Sequence, residues 1–141
     1  MKWILLIMLS LSALQTFAST SADFETYTKS AEQGDAMAQY NLGIMYVKGQ
    51  GVTQDYKQAF NWYSKAAEQG HTKAQYNLGL MYNDGQGVTQ NNRKSYIWLA
   101  IAAKNGVTNA IKARDLVAKE LSPTALESAQ EEVRQLSDKI Q

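Results

Sequence analysis

Residues 31–66 read AEQGDAMAQYNLGIMYVKGQGVTQDYKQAFNWYSKA, and residues 67–102 read AEQGHTKAQYNLGLMYNDGQGVTQNNRKSYIWLAIA. Laid over each other without a gap, the two stretches agree at 20 of 36 positions. The agreement falls in blocks: AEQG, AQYNLG, MY and GQGVTQ, with a tryptophan at Trp62 and again at Trp98. A fixed period of this length marks a solenoid of stacked helix pairs. Such a unit buries its apolar faces against its neighbours, so it offers an extended surface rather than a catalytic pocket.

Within one period the spacing predicts two helices. From Asp35 to Val47, apolar residues recur at Ala38, Leu42 and Tyr46, and a second stripe runs through Met37, Tyr40, Ile44 and Val47. A helix that is apolar on two faces is packed on both sides or leaves one apolar face available. Gly49 and Gly51 end it, glycine being suited to the left-handed turn after a helix. Thr53 is a plausible N-cap for the second helix, with Asp55 in its first turn, where negative charge is favoured. That helix carries Ala59, Trp62, Tyr63, Ala66 and Ala67 to about Glu68, and Gly70 ends it. Gly43 and Gly79 lie mid-helix, where glycine costs about 1 kcal/mol against alanine. Their recurrence predicts close backbone approach between paired helices.

Both ends carry a damped copy of the pattern. Upstream, Asp23–Ala31 keeps Phe24, Tyr27 and Lys29 in phase with Phe60, Tyr63 and Lys65, but has Thr26 in place of the tryptophan. This predicts an N-terminal capping helix over 23–33. Downstream, Ala103–Gly106 and Ala110 hold the phase of a degenerate third repeat over 103–121, without the glycine pair. Ser122 and Pro123 fit the cap and first position of a last helix, 123–140. Its single apolar stripe of Leu126, Ala129, Val133, Leu136 and Ile140 suits a helix that closes a stack, or one that self-associates. The expected architecture is all-α, with seven helices and no strand.

Residues 1–18 resemble a secretory leader. Lys2 precedes an apolar run from Ile4 to Leu14, and Thr16-Phe17-Ala18 ends on small residues; a second acceptable cut follows Ala22. A retained membrane anchor would want about 20 apolar residues, and Ser10, Ser12, Gln15 and Thr16 interrupt this run. Export with cleavage is the expectation, placing a repeat domain over 23–141 in the periplasm or outside the cell. Without Lys2 the 14 basic residues fall level with the 13 acidic ones. A neutral chain with no basic run lacks the electrostatic footprint for nucleic acid or for an anionic membrane. It has no cysteine, so packing alone must hold it.

The in-register blocks A-x-x-G, A-Q-Y-x-L-G-x-x-Y, G-x-G-V and W resemble the Sel-1-like repeat, a 36-residue relative of the tetratricopeptide repeat. The resemblance is strong over 31–106 and weaker out to about 23–120. It implies a right-handed superhelix of antiparallel helix pairs that serves as a protein-binding scaffold, in bacteria often an exported one. It also implies that Ala38, Leu42, Gly43, Tyr46 and Trp62, with Ala74, Leu78, Gly79, Tyr82 and Trp98, are architecture. Some exported members carry a cysteine pair in each repeat and are linked to β-lactams. This chain has no such pair, so that activity is not expected of it.

By analogy with the tetratricopeptide groove, the candidate partner-binding residues lie beside the packing positions. In the first repeat these are Met37, Tyr40, Ile44, Val47 and Lys48. The second supplies Lys73, Tyr76, Leu80, Asn83 and Asp84, and the third Asn109, Lys112 and Leu116. Tyr40 and Tyr76 read equally well as core, since both copies have them. The change from Met37 and Val47 to Lys73 and Asn83 would make the groove pass from apolar to polar, which suits an extended peptide or a partner helix.

Little points to chemistry. The Gly-Gln-Gly loops follow a helix rather than a strand, so they are turns and not phosphate cradles. His71, the only histidine, reads as a solvated side chain, since a zinc site wants several nitrogen or sulfur donors. Asp35, Asp55 and Asp84 belong to separate helix ends, and G-x-S-x-G is absent. The expected function is a non-catalytic scaffold in the bacterial envelope, with a protein or peptide partner and no cofactor or metal. The alternatives are an envelope hydrolase or cell-wall-fragment binder using the same groove.

Overall fold

The structure, a computed structural model, describes residues 20–140; the leader-like segment 1–18 lies outside them. Among the described residues there are seven helices and no strand. These are α1 (20–32), α2 (Ala36–Lys48), α3 (Tyr56–Glu68), α4 (Thr72–Asp84), α5 (Asn92–Lys104), α6 (Thr108–Ala118) and α7 (Pro123–Ile140). They build an all-α solenoid in which inner helices α2, α4 and α6 alternate with outer helices α1, α3 and α5.

The helix ends follow from the sequence, with one correction. Gly49 and Gly85 take left-handed φ values of 65° and 66°, and their N–H groups donate to the Met45 and Met81 carbonyls. The N-cap of α3 is Asp55, whose carboxylate accepts from the Lys57 and Gln58 N–H groups. Thr53, the expected cap, lies two residues too early. The Asp55 N–H donates to the Tyr46 carbonyl at 3.0 Å, and that bond fixes where the chain turns into α3. Ser122 caps α7 as expected, accepting from the Ala125 N–H at 3.2 Å.

The repeat is also a repeat of contacts. Phe24 on α1 meets Tyr46 on α2 edge-to-face at 5.6 Å, and 36 residues later Phe60 on α3 meets Tyr82 on α4 at 5.3 Å. Helix α1 is therefore the outer helix of a preceding turn. Leu42 and Leu78 are sealed, at 0% and 1% exposure. Trp62 lies against the cluster of Ala31, Ala38 and Leu42, and Trp98 against the one holding Ala74 and Leu78, the same surroundings one period on. Buried Gln39 donates to the Ala31 carbonyl and accepts from Gln69, while Gln75 donates to the Ala67 carbonyl and accepts from Asn105. Each amide thus ties its inner helix to the outer helix of the preceding turn and to the end of the outer helix of its own turn.

The glycines have separate causes. A Cβ on Gly43 would overlap the Tyr63 ring, and one on Gly79 would come within 2.7 Å of Leu99 Cγ and 3.2 Å of the Leu99 nitrogen. The close approach expected at these positions is real, but what fills the space is chiefly an outer-helix side chain. The second glycine of each pair, Gly51 or Gly87, sits against the backbone that opens the preceding outer helix, at Thr20 and Tyr56.

The C-terminal end departs from the expected stack. Helix α5 starts 36 residues after α3, but α7 starts 31 residues after α5, because the glycine-pair loop is missing. Helices α6 and α7 both pack on α5 and scarcely touch each other. The face of α6 that would receive an outer helix has lost its seat. Where earlier repeats carry Tyr40, Gly43 and Val47, the third carries Lys112, Asp115 and Lys119. Helix α7 instead lies along α5, and its last turn brings Ile140 against Gly70.

The partner face on α5 is visible letter by letter. Asn61, Ser64 and Lys65 of α3 become Ile97, Ala100 and Ile101 of α5, and those three are buried. The polar edge of α6, not α7, closes the stack. The apolar stripe of α7 is likewise occupied within the chain: Ala129 is buried, and Leu126, Val133 and Leu136 pack against the same cluster as Ile97 and Ile101. This intramolecular seat takes up the face that had been a candidate for self-association.

Candidate functional site

The inner helices share one outward face, and the repeat register fixes what stands on it. Ile44, Leu80 and Leu116 occupy the same position in α2, α4 and α6. They form an aliphatic row across three helices. Ile44 and Leu80 are half-buried, and Leu116 is 63% exposed. Met37, 58% exposed on α2, stands at the other end of the face. Isolated apolar side chains on a surface are ordinary. These are not isolated, because a cavity lies beside each.

Between α2 and α4 a cavity of about 380 Å³ is lined by Met37, Tyr40, Gly70, His71, Thr72 and Lys73. Between α4 and α6 one of about 370 Å³ is lined by Leu80, Leu99, Ala113, Leu116 and Val117, with Asn83, Lys119 and Glu120 around it. A third, of about 220 Å³, brings Ile44 and Asn41 together with Asp23 and Tyr27 of α1. The series has apolar floors and mixed polar surrounds, the make-up of a surface that anchors side chains rather than one that activates a bond.

The candidate residues divide between this face and the interior. Met37, Lys48, Lys73, Asp84, Asn109, Lys112 and Leu116 are exposed. Tyr40, Ile44 and Val47 pack against the core cluster around Tyr63, and Tyr76 and Leu80 against that around Leu99, so these five also serve as architecture. Tyr40 lies 5.8 Å from Tyr63, ring centre to ring centre, with the Asn77 side chain near both phenols. Burial pushes the Tyr63 hydroxyl up to about 12 and raises Tyr40 as well. Both phenols stay protonated near neutral pH.

His71 contributes more than its sequence context suggested. Its Nδ1 accepts from the Ala74 N–H at 3.2 Å as the N-cap of α4, and its ring stacks on Tyr40 at 4.4 Å. Its register with Asp35, the cap of α2, was the available signal. Asn77, near two tyrosines, gave none beyond its recurrence in register with Asn41. Among the described residues no group of three or more His, Asp or Glu side chains is placed to hold a metal ion. Among them also, no helix is long and apolar enough to cross a membrane.

Comparison with known proteins agrees with this architecture. The Sel1 repeat pattern matches residues 36–71 and 72–107, each unit running from an inner helix through the following outer one. A protective antigen of uropathogenic Escherichia coli with an SLR fold is similar over 83% of this chain, with a TM-score of 0.79 and 34% identity. A Sel1 repeat protein from Oxalobacter formigenes is similar over 66%, with a TM-score of 0.65 and 40% identity. This chain spans only 25% and 38% of those two proteins. Cysteine-rich protein B of Helicobacter pylori shares the fold at a TM-score of 0.60 and 20% identity, over 74% of this chain and 92% of its own. No curated protein matches the chain. Two adjoining repeats in register, with the contacts that recur between them, make this chain a member of the Sel1 repeat family, whose repeats generally serve as protein-interaction scaffolds.

Proposed function

We propose that the protein is an exported, non-catalytic adaptor of the bacterial cell envelope, periplasmic or secreted, that holds a protein or peptide segment on the concave face of α2, α4 and α6. The observation that carries this reading is the in-register row Ile44–Leu80–Leu116, with cavities of about 220 and 370 Å³ beside it and a further one of about 380 Å³ at Met37 on α2. Inner-helix spacing of roughly 10 Å matches two turns of a partner helix or three residues of an extended peptide. Either occupant could place one apolar side chain against each inner helix. Export is supported by the Lys2 start, the apolar run and the small residues at Thr16–Ala18.

Affinity capture from envelope extract tests the binding half. Met37→Asp and Leu116→Asp change exposed side chains, so the fold should survive while a captured partner is lost. Retention of the same partner by both variants would rule the face out. Turnover of a muropeptide panel by the purified protein would replace the adaptor reading with a hydrolase. N-terminal sequencing of the mature protein tests the export half. A cut after Ala18 leaves α1 whole from Thr20, whereas one after Ala22 removes the backbone against which Gly51 is seated.

A further inference from the structure

His71 occupies in α4 the position that Asp35 occupies in α2, and the two caps differ in one physical respect. Asp35 accepts from the Ala38 N–H at 2.6 Å, and His71 accepts through Nδ1 from the Ala74 N–H at 3.2 Å. A carboxylate keeps its acceptor at every pH above its own low range. An imidazole keeps one only while neutral, since a second proton makes both ring nitrogens donors. Protonation therefore removes the cap and leaves a cation at the positive end of the α4 dipole. The ring is not a loose side chain, because it stacks on Tyr40 and helps wall the cavity that also holds Met37 and Lys73.

Several titratable or charged groups lie around it. Lys73 is on α4 itself. Tyr40 comes from α2 and lies 5.8 Å from Tyr63 of α3, ring centre to ring centre. Helix α7 meets Gly70 with Ile140, its last charged residues being Asp138 and Lys139. Burial first holds the imidazole below its ordinary value, with the Lys73 charge acting in the same sense and a hydrogen bond to its own backbone opposing them. No carboxylate acts on it in the opposite sense.

We propose that His71 makes the α2–α4 end of the groove acid-sensitive: a proton on its imidazole uncaps α4, opens the Tyr40–His71 stack and takes down one wall of the Met37 cavity. The direction follows from linkage. A group whose folded value is lowered contributes stability in full above its unfolded value, about 6.5, and loses it as the pH falls through the folded value. The loosening of α4 belongs to the free protein. Only the release of an occupant rests on the groove reading.

The test uses the free full chain, labelled with nitrogen-15, from about pH 7.5 to about pH 5, where imidazoles titrate. His71→Asn is the comparison, because Asn91 caps α5 in the same way without titrating. In the wild type, the Ala74 amide signal should follow the imidazole titration, and its exchange protection, corrected for intrinsic rate, should fall about five-fold as the cap is lost. In His71→Asn both responses should vanish. An Ala74 amide that ignores the imidazole titration, or an unchanged response in the variant, overturns the proposal. Neither result touches the groove reading, which Met37→Asp and Leu116→Asp decide independently.

Discussion

Gly79→Ala is the most exacting test of how closely the helices approach, because two effects of similar size oppose each other there. Replacing a mid-helix glycine by alanine stabilises the helix by about 1 kcal/mol. The added Cβ would lie 2.7 Å from Leu99 Cγ, 2.9 Å from its Cδ2 and 3.2 Å from its backbone nitrogen. Overpacking of this kind costs about 1–3 kcal/mol. Cγ sits near the base of the side chain, and Leu99 is fully buried, so it cannot swing aside. The cost should therefore fall in the upper part of that range, leaving a net loss of about 1–2 kcal/mol. For a domain of this size the melting point should drop by roughly 4–8 °C.

A double-mutant cycle isolates the cause. Leu99→Ala alone should cost about 2–5 kcal/mol. In its presence Gly79→Ala should lose most of its penalty, since the two nearest atoms are gone. Calorimetry and urea titration of the four proteins give the coupling. A Gly79→Ala variant that melts higher than the wild type, or a coupling near zero, would show that the glycine is not there to admit Leu99.

Other consequences can be checked in the same format. Asp55→Ala should lower stability by about 1 kcal/mol, while Thr53→Ala should leave the urea midpoint unchanged; equal effects would contradict the cap assignment. Ile101→Lys restores the residue that α3 carries at Lys65 and puts an unpaired charge under α7, at a cost of about 3 kcal/mol or more. Limited proteolysis should then cut between residues 119 and 140, and a resistant α7 would refute its docking on α5. Gln75→Leu removes the bonds to the Ala67 carbonyl and from the Asn105 amide, and should cost about 1 kcal/mol, since the Gly70 N–H still donates to that carbonyl. A neutral result would mean the buried amide contributes nothing to the junction.

What could be read from the letters depended on whether a feature repeats. Helix positions, the left-handed glycines at Gly49 and Gly85, and the burial of Leu42 and Leu78 all follow from patterns present twice, each copy checking the other. The seat of α7 does not repeat, so matching letters were silent about it. The signal lay in the mismatches, where Asn61 and Lys65 give way to Ile97 and Ile101 and a second apolar face appears on α5 alone. The cap of α3 was misplaced because Thr53 and Asp55 are both capping types two residues apart, and only the bond from Asp55 to the Tyr46 carbonyl separates them. On the candidate face, the aliphatic row was legible from register. His71 was not, because a lone histidine suggests a solvated side chain until its equivalence with Asp35 is set beside the geometry.

The glutamine ties give the molecule a direction. Each passes a donor back to the turn before and offers an acceptor to the outer helix of its own turn, so both of these junctions have the same connector, and a copied unit inserted between residues 71 and 72 would find both ends matched. At Ile111, where the third turn should have its glutamine, the connector is missing and the series stops. Reach is thus a quantity that duplication can tune without redesigning any interface, and one codon marks where copying must end.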